Sequence, residues 1–144
     1  MSIKVGLLTA YYKNYKSLAD IVVPNMRDYC RKYGYSFFEY MPPETGVHYS
    51  FKRIKMLRDL LSTEDVDIIL CADIDMLITN YSTRIESFVD TKFDFYICKD
   101  VNGINAGSFI VKNTAWSISF LDFILSKQES HENDQVVIEQ FFGE

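Results

Sequence analysis

Apolar positions along this chain alternate between two rhythms. Short continuous runs mark strands, and spacings of three and four mark helices. Ile3 to Ala10 is an apolar run ending in Thr9 and in Tyr11 and Tyr12, and it predicts a first strand. Leu18, Ile21, Val22, Met26, Tyr29 and Tyr33 then keep helical spacing. Ser17 followed by Asp20 resembles a capping box at the start of that helix, and Gly34 stands where a left-handed stop belongs. Pro24 lies inside it and predicts a kink or a restart. Residues 35–41 read as a second strand, and Pro42, Pro43 and Gly46 as a loop. Residues 50–62 predict a helix with Phe51, Ile54, Leu57, Leu60 and Leu61 on one face. A strand through Ile68, Ile69, Leu70, Cys71 and Ala72 follows, then strands over 93–100 and 104–113. Asn113 or Thr114 caps a helix carrying Trp116, Phe120, Leu121, Ile124 and Leu125, and residues 132–142 form a last helix. Strands that alternate with helices argue for an α/β sheet, and no internal repeat interrupts the pattern.

The length, 144 residues, implies one domain over 1–144, and 48% hydrophobic content is ample for its core. A net charge of -5 repels nucleic acid, so a polyphosphate ligand would need a local cation or a few well-placed basic side chains. The three cysteines, Cys30, Cys71 and Cys98, are odd in number and form no C-x-x-C pair, which argues against zinc. Cys71 and Cys98 sit in apolar runs and are expected to be buried, reduced thiols, which places the protein in a reducing, cytoplasmic compartment. The first ten residues lack the basic and long apolar regions of a signal peptide, and no run approaches the roughly 18 apolar residues of a membrane span.

Candidate chemistry begins at the end of the run 68–72, where Asp73 and Asp75 follow. On an extended strand, residues i and i+2 share a side, about 6.6 Å apart. Two carboxylates so placed at a dry strand end repel each other, so that one takes a proton or a cation sits between them. The alternative is that both are solvated at a strand-to-turn junction. The carboxyl end of an α/β sheet is also where ligands bind. A second constellation is Asn102, Gly103, Asn105 and Gly107, ahead of an apolar strand. It is either a close backbone approach to a ligand, with carboxamides for hydroxyls, or an ordinary Asn-Gly turn. No phosphate-loop or dinucleotide fingerprint exists in the chain, so a nucleotide would be held by a metal on the aspartates.

In order, "SFKRI", "CADIDMLITN", "NGINAGSFIVKNTAW" and "DQVVIEQ" resemble the retaining glycosyltransferases of family 34, the galactosyl-, mannosyl- and xylosyltransferases. The resemblance implies a GT-A-like (Rossmann-like) α/β fold, with a mixed, mainly parallel sheet flanked by helices. It implies a nucleotide-diphosphate sugar (a UDP- or GDP-sugar), a hydroxyl acceptor such as a glycan, and Mn2+ or Mg2+. Carried over, it makes Asp75 the direct metal ligand and has Asp73 bind ribose or reach the metal. Thr9, Ala10 and Tyr11 would meet the nucleoside, and Arg53 would stand near the donor. Asn105, Ala106 and Gly107 would line the sugar subsite, and Asp134 and Gln135 would lie near the anomeric carbon.

Two departures accompany the resemblance. Family members supply a histidine as third metal ligand from a segment after the last helix, whereas this chain stops at Glu144 and looks short at its C-terminus. They also carry an N-terminal membrane anchor. His48 and His131 are expected to be solvated surface residues. The competing readings are a glycosyltransferase-like module that binds without turnover and a phosphatase of the haloacid-dehalogenase type. The latter wants Thr where Leu77 stands.

Overall fold

A computed structural model describes residues 3–143. Its elements in chain order are β1 (Val5–Ala10), α1 (Lys16–Tyr33), β2 (Ser36–Tyr40), α2 (Tyr49–Thr63), β3 (Ile68–Asp73), β4 (Phe95–Asp100), β5 (Gly103–Lys112), α3 (Ala115–Leu125) and α4 (Asp134–Phe142). Short 3-10 turns occupy Lys13–Tyr15 and Ile85–Phe88. The strands form one sheet in the order β2-β1-β3-β5-β4. β1 pairs in parallel with β2 and with β3, while β5 runs antiparallel to β3 and to β4. Four strands therefore point one way and β5 the other, the mixed, mainly parallel sheet expected.

Continuous apolar runs make sense in this order. β1 and β3 lie inside the sheet with helices over both faces, so every residue of β1 is buried. On one face, α2, α3 and α4 pack Ile54, Leu57, Leu121, Ile124 and Ile138 against Leu8, Ile69, Cys71 and Val111. Burial of each such side chain is worth about 1.5–3 kcal/mol. On the other face, α1 lays Ala19, Val22, Met26 and Tyr29 over Val5, Leu7 and Ile68. Among the described residues no helix is long and apolar enough to cross a membrane.

Three local expectations need correction. α1 does not restart at Pro24, being one helix from Lys16 to Tyr33. The proline faces solvent, and the carbonyl it deprives, that of exposed Asp20, can take water instead. The capping box at Ser17 is not formed: the Lys13–Tyr15 turn feeds the helix directly, Ser17 is already helical, and Asp20 pairs with Lys16. Cys98 is exposed, unlike Cys30 and Cys71, because β4 is an edge strand whose end carries it beyond the cover of the helices. Gly34 does end α1 with φ of 71°, Thr114 caps α3 through Ser117 N, and Asn133 caps α4 through Val136 N.

The feature that shapes the rest of the molecule is a register jump between β4 and β5. Ile97 pairs with Phe109, but the next residue, Cys98, pairs with Asn105. Ala106, Gly107 and Ser108 thus bulge out of the β4 ladder, and only Ser108 retains a strand partner, Ala72 of β3. Bulges of this kind re-aim backbone beside functional sites.

Candidate active site

The bulge lies beside the carboxyl ends of β1 and β3, where Ala10 and Asp73 are register partners. The N-termini of α2 and α4 arrive at the same place. Arg53 stands at the centre. It sits one turn into α2, four residues after Tyr49, and only 1% of its side chain is exposed. Nη1 donates to Asp73 Oδ1, and Nη2 donates to Ala106 O and to Asp134 Oδ2, each at 3.0 Å. One guanidinium fork thereby ties together β3, β5 and α4. Tyr49 donates to Asp73 Oδ1 at 3.2 Å. Ser50 Oγ accepts from Asp134 N at 3.1 Å, and His48 caps α2 through Ser50 N.

Asp73 is 24% exposed on its side chain, Asp134 only 4%. Burial raises the Asp73 carboxyl above the usual range, the Arg53 charge opposes that rise, and Asp134 and then Asp75 add to it. A further cation at Asp73 would favour its ionised form. Burial and then the Asp73 charge raise the Tyr49 phenol, so it remains a hydrogen-bond donor. Asp75 is not on the strand. β3 ends at Asp73, and Asp75 is exposed in the turn closed by Met76 N to Asp73 O at 3.1 Å. The simple alternation of strand side chains therefore does not set the pair, yet both carboxylates border one hollow of about 90 Å³ together with Ala10, Tyr12, Tyr15 and Tyr49. A second hollow of about 210 Å³ adjoins it, sharing Tyr49 and Asp73.

Six predicted residues border that second hollow: Arg53, Asp73, Ala106, Gly107, Asp134 and Gln135. The fold brings them from four elements. The other predictions fare differently. Thr9 is fully buried with Oγ1 unpaired. Tyr11 borders the first hollow, but its ring is 1% exposed and its hydroxyl donates to Glu39. Burial, with that bond adding, pushes its phenol up to about 12. Helices cover both faces of β1, so Thr9 lies in the interior, while Ala10 and Tyr11 at the strand's end border the hollow. Asn105 spends its side chain on the β4–β5 hairpin, accepting from Gly107 N of its own strand at 2.8 Å and donating to Asp100 Oδ2 of β4 at 2.8 Å. Gly107 has a steric reason to be glycine. A Cβ there would stand 2.9 Å from Asn105 Oδ1 and 3.3 Å from Asp73 Oδ2.

Sequence reasoning missed Tyr12, Tyr15, Tyr49 and Ser50. Tyr49 had a usable signal, since it precedes Arg53 by four residues and so shares its helix face. His48 is exposed as expected, but it also caps α2 and borders the second hollow.

Among the described residues no three His, Cys, Asp or Glu side chains converge to hold a metal ion. What converges is a pair of carboxylates, hard donors that suit a small divalent ion. Such an ion would complete its shell from diphosphate oxygens and water. The donor set fits an ion held jointly by protein and ligand.

Residues 54–141, more than half of the chain, match the model of the galactosyl transferase GMA12/MNN10 family. Among curated proteins no sequence match was found. Solved structures share the fold at low identity. A glycosyltransferase involved in the glycosylation of the major capsid of PBCV-1 aligns with TM-score 0.76 and 13% identity, over 96% of this chain and 76% of that one. The glycosyltransferase GlyE of Streptococcus pneumoniae TIGR4 aligns with TM-score 0.67 and 15% identity, over 98% of this chain and 44% of its own, so this chain spans less than half of that enzyme. A galactosyltransferase, LgtC, in complex with donor and acceptor sugar analogs aligns with TM-score 0.57 and 12% identity, over 94% of this chain and 70% of that one.

Proposed function

Because the chain belongs to the galactosyl transferase GMA12/MNN10 family, with a GT-A-like fold, we propose that it moves a hexosyl or pentosyl group from a nucleotide-diphosphate sugar to an acceptor hydroxyl, with retention. The observation that carries this reading is the convergence of Arg53, Asp73, Ala106, Gly107, Asp134 and Gln135 on one hollow beside the Asp73–Asp75 turn. Asp75 and Asp73 Oδ2 would hold Mn2+ or Mg2+. When bound, such an ion supplies Lewis acidity that offsets charge on a departing diphosphate. Tyr12, Tyr15 and Tyr49 offer ring faces and edges on the nucleoside side, which replaces the roles expected of the Thr9 and Tyr11 side chains. Gly107 lets the sugar lie close to the strand. Arg53 is too buried to act as a mobile cation; its part is to keep Asp73 Oδ1 occupied and Oδ2 turned toward the cleft.

Asp134 is spent on Arg53, so it supplies charge balance and not a free nucleophile. That supports attack by the acceptor on the face the diphosphate leaves, the route to retention without a covalent enzyme intermediate. Titration calorimetry with manganese and UDP- or GDP-sugars tests the donor reading. Binding is expected for the native protein and not for Asp75→Ala, whose melting temperature should be unchanged or higher because a like charge has been removed. Unchanged donor affinity in that variant would overturn the metal assignment. A β-linked product from an α-linked donor, read by proton NMR, would overturn retention.

A further inference from the structure

Two carboxylates outside the cleft, Asp100 and Glu139, repeat one device. Ala106 and Gly107 lie in the bulge, where the register jump removes their strand partner on the β4 side. Their two successive N–H groups are filled by carboxamides: Ala106 N donates to Gln135 Oε1 at 3.1 Å, and Gly107 N donates to Asn105 Oδ1 at 2.8 Å. Each carboxamide has its other end on a carboxylate. Gln135 Nε2 donates to Glu139 Oε1 at 3.0 Å, and Asn105 Nδ2 donates to Asp100 Oδ2 at 2.8 Å. An ionised carboxylate only accepts, so it holds the NH2 end and leaves the oxygen for the backbone. Flipped, either amide would set NH2 against N–H and C=O against a carboxylate. Asp100 is itself held by Asn102 N at 2.7 Å.

We propose that Asp100 and Glu139 are positioning residues that set the β5 bulge by fixing the sense of the Asn105 and Gln135 carboxamides. The clamp keeps Ala106 O on Arg53 Nη2 and seats Gly107 against Asp73. It also consumes both N–H groups, so the bulge serves a ligand by its shape and not by donating. The consequence for ligand affinity rests on the donor reading above; the clamp itself does not.

Amide hydrogen exchange in 15N-labelled full-length protein tests it. Glu139→Lys replaces the acceptor by a donor and should speed exchange at Ala106 by at least about 10-fold while Gly107 changes less. Asp100→Lys should do the converse. Glu139→Gln and Asp100→Asn keep an acceptor oxygen and should stay within about 3-fold of the native protein. Gln140→Ala, elsewhere on α4, should leave both amides alone. Unchanged exchange in the lysine variants would overturn the proposal. So would equal acceleration along all of β5, which would mark general loosening. With UDP-galactose and manganese as probe, the lysine variants should bind about 3–10-fold more weakly, as expected for one lost hydrogen bond. Their added positive charge would by itself favour an anionic ligand, so weakening despite it supports positioning, and stronger binding would count against it. If the native protein bound neither UDP-galactose nor GDP-mannose, the donor reading would fail and the exchange data would still decide the clamp.

Discussion

Replacing Arg53 by methionine is the sharpest perturbation this fold offers. The side chain is 1% exposed and bridges Asp73, Asp134 and the carbonyl of Ala106. Methionine fills much of the same volume but leaves two carboxylates and a carbonyl without their donor. Asp73, at 24% exposure, can recover part of its loss from water; Asp134, at 4%, cannot. Removing one partner of a buried pair costs about 3–5 kcal/mol, because a charge is left uncompensated. For a chain of this length the unfolding entropy is about 0.3 kcal/mol/K, so Arg53→Met should lower Tm by about 10–17 °C. Adding Asp134→Leu removes the orphaned charge and should recover about 2–3 kcal/mol. The coupling in a double-mutant cycle is that recovery plus whatever Asp134→Leu costs by itself, and so is at least about 2–3 kcal/mol. The deficit of the single variant should shrink as pH falls. Burial already raises the Asp73 carboxyl and the Arg53 charge opposes that rise, so without Arg53 the folded state takes up the Asp73 proton ahead of the unfolded chain and gains stability as pH drops through the raised value. Urea denaturation of the four proteins at pH 7 and at pH 5 measures all of this. A loss under about 1 kcal/mol for Arg53→Met, with no coupling to Asp134, would show that the network is hydrated and would refute the reasoning.

Gly107→Val should cost about 1–3 kcal/mol by overpacking against Asn105 Oδ1 and Asp73 Oδ2, and should abolish donor binding; loss of stability with full affinity per folded molecule would limit Gly107 to a structural part. Of the three thiols only Cys98 is exposed, and burial pushes Cys30 and Cys71 up to about 12. One equivalent should therefore react rapidly with a thiol reagent at pH 8 in the native protein and three in urea; rapid reaction of a second would show that a core strand or helix opens. Stability should hold up to about pH 9, the ordinary thiol value, and decline above it toward 12. The unfolded chain sheds its thiol protons there while the fold retains them, and a flat denaturation midpoint from pH 8 to 11 would contradict the burial of both.

The elements and their order were legible in the chain because each depends on local periodicity. The apolar runs of β1 and β3, the spacing from Phe51 to Leu61 and the stop at Gly34 are decided by which residues must leave water and which backbone angles they tolerate. The candidate site was legible as a set of residue types, aspartates after an apolar run and an Asn-Ala-Gly before another. Its wiring was not. That Asp134 faces Arg53 across 81 positions of sequence, that Tyr11 points to Glu39, and that Asn105 is tied to Asp100 of β4 all follow from which elements lie side by side. Even the burial of Cys98 was misjudged for this reason, since an apolar neighbourhood along the chain does not say whether a strand lies at the centre or the edge of a sheet. Local pattern determines what an element is. Only the register between elements, here a jump of three residues opposite Cys98, determines which polar atoms are already satisfied and which remain free for a ligand.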